Sequence, residues 1–505
     1  MNQSPMEANN HKQLVLKYAV VSRLVVIFLA ILWRCLLSPY DTSASINPSC
    51  LTSELNSHAP PVLLPRVAAA IENGIVWDSV YFVRIAQCGY EYEQSYAFFP
   101  LLPISISLLS RSVFLPLIPV IGHRAVLGLS GCVLNNIAFV LAALYLYRLS
   151  VIVVKDSELA MRASLLFCFN PASVFYSSIY TESLYALFSI GGLYYFTSGA
   201  RNIATLWFAL SGFSRSNGML TAGYICFQMM HSVYSSAVLK KHAIFVFWEL
   251  IVGAIRSICI IFPFIGFQAY GYYNMCVGHS RSPWCKKRIP LFYDYIQGHY
   301  WGVGFLRYFQ IKQIPNFVLA SPVLSLALCS IIHYVKLEPK VFLSLGFRRV
   351  SSPMNDNKGG QDGARLLVMK DDASYKLNGG GDCALKQRKH VATVGRRQNF
   401  TALETGKTDD NNLSTTAIIQ VPLVLHLGFM TATAFLVMHV QVATRFLSAS
   451  PPLYWFSSYV MMSASSSSKR SIAKRGFGCG YCIWVYCWAY IFLGTLLFSN
   501  FYPFT

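Results

Sequence analysis

Three carboxylates, Asp78, Glu91 and Glu93, stand among aromatic and aliphatic side chains in WDSVYFVRIAQCGYEYEQSYAFFPLLP, residues 77–103. Asp78 follows Trp77 directly and precedes a long apolar block. A carboxylate within reach of a hydroxyl can take its proton and act as general base, provided its charge is kept available. The competing role is structural, because an acid ahead of SVYFVRIAQCGY can also cap a helix. Residue type and spacing leave both roles open.

A second stretch with chemical potential is 271–315, GYYNMCVGHSRSPWCKKRIPLFYDYIQGHYWGVGFLRYFQIKQIP. Aromatic residues, Trp301 among them, alternate there with Lys286, Lys287, Arg288, Arg307 and Lys312, and with His279, Asp294 and His299. Aromatics at a bilayer face are commonly belt residues. Interleaved with cations over so long a loop, they also suit stacking on sugar rings and holding a phosphate. The segment 440–456, VQVATRFLSASPPLYWF, adds Arg445 beside a further aromatic cluster. Three such loops on one face of a helical bundle would meet the needs of a lipid-linked phosphosugar. It requires an apolar groove for its tail, cations for its phosphate and a carboxylate for the attacking hydroxyl.

The elements that must position these residues are membrane helices. The 505 residues are 54% hydrophobic and only 12% charged, with a mean hydropathy of +0.45. A soluble chain carries roughly a quarter charged residues. The apolar residues also form long blocks, which marks an all-α polytopic membrane protein. The net charge of +20 resides in loops and flanks between those blocks. That is the pattern of basic loops around membrane spans and not of a phosphate-binding face, so no nucleic-acid partner is expected. Roughly ten blocks have spanning length: 18–37, 101–121, 125–147, 163–179, 183–198, 203–222, 244–270, 316–335, 416–439 and 480–499. The first reads as a retained signal-anchor. With a cytosolic N-terminus, counting spans puts 38–100, 271–315 and 440–479 on the far side, and 223–243 and 336–415 in the cytosol. The domain organisation is then a membrane core over 1–335, a disordered cytosolic loop over 336–415 and C-terminal membrane helices over 416–505. The basic, Gly-rich composition of the middle segment cannot bury a core. The same count places Glu182 near the cytosolic end, far from Asp78, and sets Arg148, Lys155 and Arg162 against the charge rule.

Several chemistries are excluded. TGKT at 405–408 resembles the end of a phosphate loop, but Thr401 stands where the first glycine belongs. There is no HExxH and no GxSxG. Cys35, Cys132, Cys168, Cys226, Cys259, Cys329, Cys482 and Cys487 lie in or beside apolar blocks, as small hydrophobes do. No CxxC has a matching partner, so no metal site is expected. No cofactor is predicted.

The motifs WDSVYFVRIAQCGY…AFFPLLP, YTESLYA (180–186), FSRSNG (213–218), PWC (283–285), YDYIQGHYWGVGFLRYFQIKQIPNFVLASP (293–322) and HVQVATRFLSASPPLYW (439–455) together closely resemble the PIG-V family. LGTLLFSNFYPFT at 493–505 is similar to that family's C-terminus. The resemblance implies a GT-C type glycosyltransferase of the endoplasmic reticulum membrane that adds the second, α-1,6-linked mannose to the glycosylphosphatidylinositol (GPI) anchor precursor. The implied partners are dolichyl phosphate mannose as donor, the GPI precursor as acceptor and the membrane itself, and an accessory membrane subunit is compatible with it. In the family the acid lies in the first luminal loop, and Asp78 matches it. A β-linked donor and an α-linked product mean inversion. Glu182 in YTES and Arg215 with Asn217 in RSNG also match family motifs, with interhelical structure the favoured role. The expected substrate contacts are Trp77, Lys286, Arg288, Asp294, His299, Trp301, Arg307, Lys312 and Arg445. A luminal 271–315 would allow a disulfide between Cys276 and Cys285. The stretch near 346–412 departs from the family as an insertion, and SASSSSKRSIAKRGFGCG puts four basic residues in an expected luminal loop. A transporter or lipid translocator is the alternative from another class, but it should show internal repeats, and the two halves show none. A GT-C enzyme with a different lipid-linked acceptor is the alternative within the class.

Overall fold

A computed structural model describes residues 5–40, 50, 62–240, 243–277, 282–288, 290–347, 405–466 and 473–502. The regular secondary structure of the described residues is all helical, with no strand among them. In chain order the α-helices are α1 (Pro5–Leu36), α2 (Pro65–Glu72), α3 (Ser79–Cys88), α4 (Leu101–Arg111), α5 (Ile118–Ile121) and α6 (His123–Val154). Next come α7 (Ser157–Cys168), α8 (Ser173–Ser177), α9 (Glu182–Thr197), α10 (Arg201–Ser214), α11 (Ala222–Ser235) and α12 (Ala243–Cys276). The chain continues with α13 (Phe292–Tyr300), α14 (Ile314–Leu337), α15 (Pro339–Leu343), α16 (Thr405–Leu436), α17 (Ala443–Leu447), α18 (Pro451–Ser466) and α19 (Ala473–Ser499).

Six of the described helices are long and apolar enough to cross a membrane, or seven if one bent pair counts as a span. Fewer qualify than the ten expected blocks because α7, α9 and α10 hold 12, 16 and 14 residues, short of the ~20 a straight crossing needs. Of these, α7 and α9 are largely buried in the bundle, whereas α10 lies at its edge with Ile203 and Leu206 exposed. A single apolar core runs from α1 through α6, α7 and α9 to α18 and α19. A second, smaller cluster joins α14, α16 and α17.

Two expected spans are folded differently, and together they re-order the topology. Residues 101–121 are not one helix: α4 and α5 meet at 70°. The N–H groups of Leu63 and Leu64 donate to the carbonyls of Pro119 and Val120, at 3.3 and 2.8 Å. The segment thus ends beside the start of α2, on the same end of the bundle where it began. Residues 203–222 are also broken, after Ser214, and α11 turns back along α10 so that Tyr224 stacks on Phe208 with ring centroids 5.7 Å apart. The turn needs Gly218, since a Cβ there would stand 2.3 Å from the backbone of Ser211.

The first break carries Lys155 and Arg162 to the end opposite Asp78. There Arg162 pairs with Glu158 at 2.7 Å, and His11 of α1 lies 3.8 Å from the same carboxylate. It also brings Glu182 to the Asp78 end, contrary to the expected placement. The second break cancels the first, but 223–243 is not the expected loop: α11 occupies 222–235 and carries the chain back to the end opposite Asp78, where His231 meets Leu345 O at 2.9 Å. A third difference concerns 440–479. Instead of one loop it contains α17 and α18, and α18 packs on α7 with Ser458 donating to Leu159 O at 3.2 Å. The end of α19 therefore lies at the Asp78 end, where Arg34 donates to Ser499 O at 3.0 Å. Of the segment 336–415 expected to be disordered, residues 348–404 lie outside the described residues. Its flanks are ordered, with α15 at 339–343 and α16 starting at Thr405 instead of 416.

Candidate active site

Asp78 is placed by its neighbours on both sides. Trp77 adopts a left-handed backbone conformation, with φ of 55°. For a bulky residue that geometry is strained and must be held by its surroundings. Here the indole N–H donates to Phe498 O at 3.1 Å and the ring packs against Phe501. The turn delivers Asp78 to the start of α3, where its own N–H donates to the Tyr180 hydroxyl at 3.1 Å. Its backbone is already helical and its side chain makes no capping hydrogen bond. The capping role that the sequence left open is not realised.

The carboxylate instead heads a chain of alternating charges. Asp78 Oδ2 lies 3.6 Å from Arg445 Nη2, and Arg445 Nε lies 3.4 Å from Glu182 Oε1. The same Glu182 oxygen accepts from Arg215 Nη1 at 2.6 Å. Arg445 also rests over the rings of Phe175 and Tyr180, at 5.0 and 5.4 Å. The two acids sit in different environments. Glu182 is 2% exposed and bound on both sides by cations, whereas the Asp78 side chain is 33% exposed. Desolvation by the surrounding protein pushes the Asp78 carboxyl above its ordinary 3.8, against the pull of Arg445. Burial acts on Glu182 in the same direction, but Arg215 and Arg445 outweigh it and hold its pKa below 4.5.

Asp78, Glu182, Arg215 and Arg445 line a cavity of about 190 Å³. Its aromatic wall comes from Phe82, Phe98, Phe99, Tyr180, Tyr293 and Trp301, and its polar rim from Ser216, Gln297 and His439. Trp301 O is held by His439 Nε2 at 2.7 Å, which ties the α13 end to the α16–α17 connection. Of the expected substrate contacts, Trp301 and Arg445 line this cavity and Trp77 adjoins it. Lys286, Arg288, Asp294, His299, Arg307 and Lys312 are exposed and line none of it. His299 stacks on Tyr295, and Arg307 folds onto Gly304. Asn217 is buried behind Arg215. Tyr180, Tyr293, Gln297 and His439 were not singled out by type, although all four fall inside motifs quoted above.

The other two acids of the opening segment are engaged elsewhere. Glu91 accepts from Arg84 at 2.7 Å, and Glu93 accepts from Trp284 Nε1 and Tyr300 OH at 2.5 and 2.8 Å. Glu93 thereby ties the loop after α3 to the segment 282–300. Trp284 is fully buried and stacks on Phe292 at 4.0 Å, beside the disulfide Cys276–Cys285. A second disulfide, Cys50–Cys88, ties the far end of α3. The two cysteines are 38 positions apart and belong to no recognisable motif, so spacing does not reveal the pair.

Residues 11–505 match the mannosyltransferase (PIG-V) family. The chain belongs to that family. It is therefore a glycosyltransferase, and the family is represented along its whole length. The rat protein named GPI alpha-1,6-mannosyltransferase 2 is 27% identical, covering 97% of this chain and 98% of its own. The human protein of the same name is 28% identical over 88% of this chain and 83% of its own. GPI mannosyltransferase 2 of Drosophila melanogaster is 26% identical over 97% and 99%. Among solved structures, an oligosaccharyltransferase from Archaeoglobus fulgidus aligns with 96% of this chain and 55% of its own, at 11% identity and a TM-score of 0.43.

Proposed function

We propose that the chain transfers the second mannose of the GPI anchor, from dolichyl phosphate mannose to the 6-hydroxyl of the first mannose of the precursor, at the luminal face of the endoplasmic reticulum membrane. Asp78 takes the proton of that hydroxyl as its oxygen attacks the anomeric carbon of the donor. The bond from that carbon to the phosphate oxygen breaks, the configuration inverts, and dolichyl phosphate leaves with the bonding electrons. Arg215 and Arg445 stand where cations can stabilise the charge gathering on the phosphate. The aromatic wall gives two sugar rings surfaces to stack on.

The observation that carries this reading is the contrast between the two acids. Glu182 is fixed between two guanidiniums, while Asp78 is open to the cavity with a raised pKa that favours proton acceptance. The luminal placement is supported by both disulfides, which lie at the Asp78 end of the bundle and require an oxidising compartment. Expression in cells lacking this mannosyltransferase tests the whole proposal: surface GPI-anchored proteins should return. Good expression at the endoplasmic reticulum without their return would refute it.

A further inference from the structure

A groove of about 560 Å³ lies beside the cavity, between α3, α4 and α12. Along α3, Asp78 and Phe82 line the cavity, and Ile85, Ala86 and Gly89 line the groove. Residues three and four apart share one helix face. A single face of α3 thus runs from the carboxylate into the groove, about 10 Å from Phe82 to Gly89 at 1.5 Å per residue. The next segment repeats the pattern, with Phe99 in the cavity and Pro100, Pro103 and Ile104 in the groove. At the tip of α10, Phe213 faces the groove while Ser214 and Arg215 face the cavity. The far wall is α12, which contributes Phe262, Pro263, Gly266 and Phe267. Ile104 and Phe262 are 53% and 62% exposed, so the groove is open sideways to whatever surrounds the bundle.

We propose that this groove seats the hydrocarbon chain of the polyisoprenyl phosphate donor, an inference that rests on the function proposed above. The chain of such a donor is esterified directly to its phosphate. Its tail must therefore begin where its phosphate meets the cations, and the groove begins beside Arg215. The acceptor's reacting mannose is the far end of a glycan, so its lipid is separated from Asp78 by the other sugars. A second apolar groove, of about 590 Å³, runs between α7, α14, α18 and α19. It meets α17 on the side of Thr444 and Ser448, with that helix between it and the cavity. It is the competing seat for the donor tail.

The direct test is photocrosslinking of the full chain in phospholipid vesicles, using a polyisoprenyl phosphate with a diazirine in its tail. Label should appear on peptides covering 85–107 and 262–270 and fall with excess unlabelled polyisoprenyl phosphate. Competable label on 322–329 or 453–487 instead would overturn the assignment. A kinetic test uses Gly266→Phe, because a Cβ at Gly266 meets only the Phe262 ring, at 3.7 Å, and the added ring would project into the groove. KM for a long-chain donor should rise about tenfold or more, the equivalent of ~1.4 kcal/mol of lost binding, with the acceptor KM unmoved. A rise in the acceptor KM alone would assign the groove to the other substrate. The two proposals fail separately. A wild-type protein that takes mannose from no polyisoprenyl phosphate refutes the function, whereas one that does, with both groove readouts negative, refutes only the groove.

Discussion

Replacing Asp78 by Asn separates catalysis from structure, because the two roles move stability and rate in different directions. Loss of a general base typically lowers the rate about 10²–10⁴-fold, which corresponds to ~3–5 kcal/mol of transition-state stabilisation. Stability should not follow. The folded pKa of Asp78 lies above its ordinary value because of burial. A group raised in this way favours the fold below its unfolded pKa, and that contribution is lost as pH rises through the folded pKa. Above that folded pKa the ionised carboxylate is therefore a net cost, which Asn removes. Arg445 keeps its other partners, Glu182 Oε1 at 3.4 Å and the rings of Phe175 and Tyr180. The variant should unfold at the same temperature as wild type or slightly higher, as read by thermal denaturation of detergent-solubilised protein. Its mannosyl transfer should fall to the predicted residue, and the acid limb of the wild-type pH profile should sit above the usual carboxylate value. Near-normal transfer by Asp78→Asn would remove it from the chemistry. A marked loss of thermal stability would show instead that its charge holds the fold.

Glu182→Gln should behave in the opposite way. Its folded pKa is lowered by Arg215 and Arg445, so its contribution is present above the unfolded pKa and lost as pH falls through the folded value; removing the charge takes the carboxylate partner from the partly buried Arg215 and leaves Arg445 with Asp78 alone, at a cost of about 3–5 kcal/mol in chemical denaturation. Gly218→Ala should destabilise by about 1–3 kcal/mol, because the new Cβ would meet the Ser211 backbone at 2.3 Å; unchanged unfolding would mean that the α10–α11 turn is formed otherwise. Differential alkylation should leave Cys50, Cys88, Cys276 and Cys285 unlabelled before reduction and labelled after it, and equal labelling in both states would exclude the two bridges. The sequons at Asn399 and Asn412 should carry no glycan if 336–415 is cytosolic, and a glycosidase-sensitive mass shift lost in Asn399→Gln would place that segment in the lumen.

What the sequence disclosed depended on the range of the interaction. Hydropathy identifies α1, α6, α12, α14, α16 and α19, because each is a long apolar run in its own right. It misread 101–121 and 203–222, where the run is continuous but the helix is not. The first break is made by backbone bonds to residues near 63, and the second by the close approach of Gly218 to Ser211, neither of which is a property of the local stretch. The same limit applies to the site. Asp78 was legible because an acid between Trp77 and an apolar helix is chemically conspicuous. Lys286, Arg288, Arg307 and Lys312 drew attention by charge alone, yet they lie outside the cavity. Tyr293, Gln297 and His439 line it without any charge to announce them.

The site is nearly neutral by construction, and that bears on the proposal that one of its two carboxylates acts as the base. Asp78 and Glu182 share Arg445, and Glu182 has Arg215 as well. Two acids and two guanidiniums cancel, but the second cation is given to Glu182, so the cancellation is uneven. Glu182 is kept ionised and fixed, which orients both arginines toward the cavity. Asp78 has one longer contact, at 3.6 Å, and retains the proton affinity that a base requires. A phosphate entering beside Arg215 and Arg445 would compete with Asp78 for Arg445 and weaken the larger of the two interactions that lower its pKa, the other being the field of Arg215. Donor binding would therefore raise the basicity of Asp78 at the moment the acceptor hydroxyl needs a proton acceptor, and it would do so without any movement of α3.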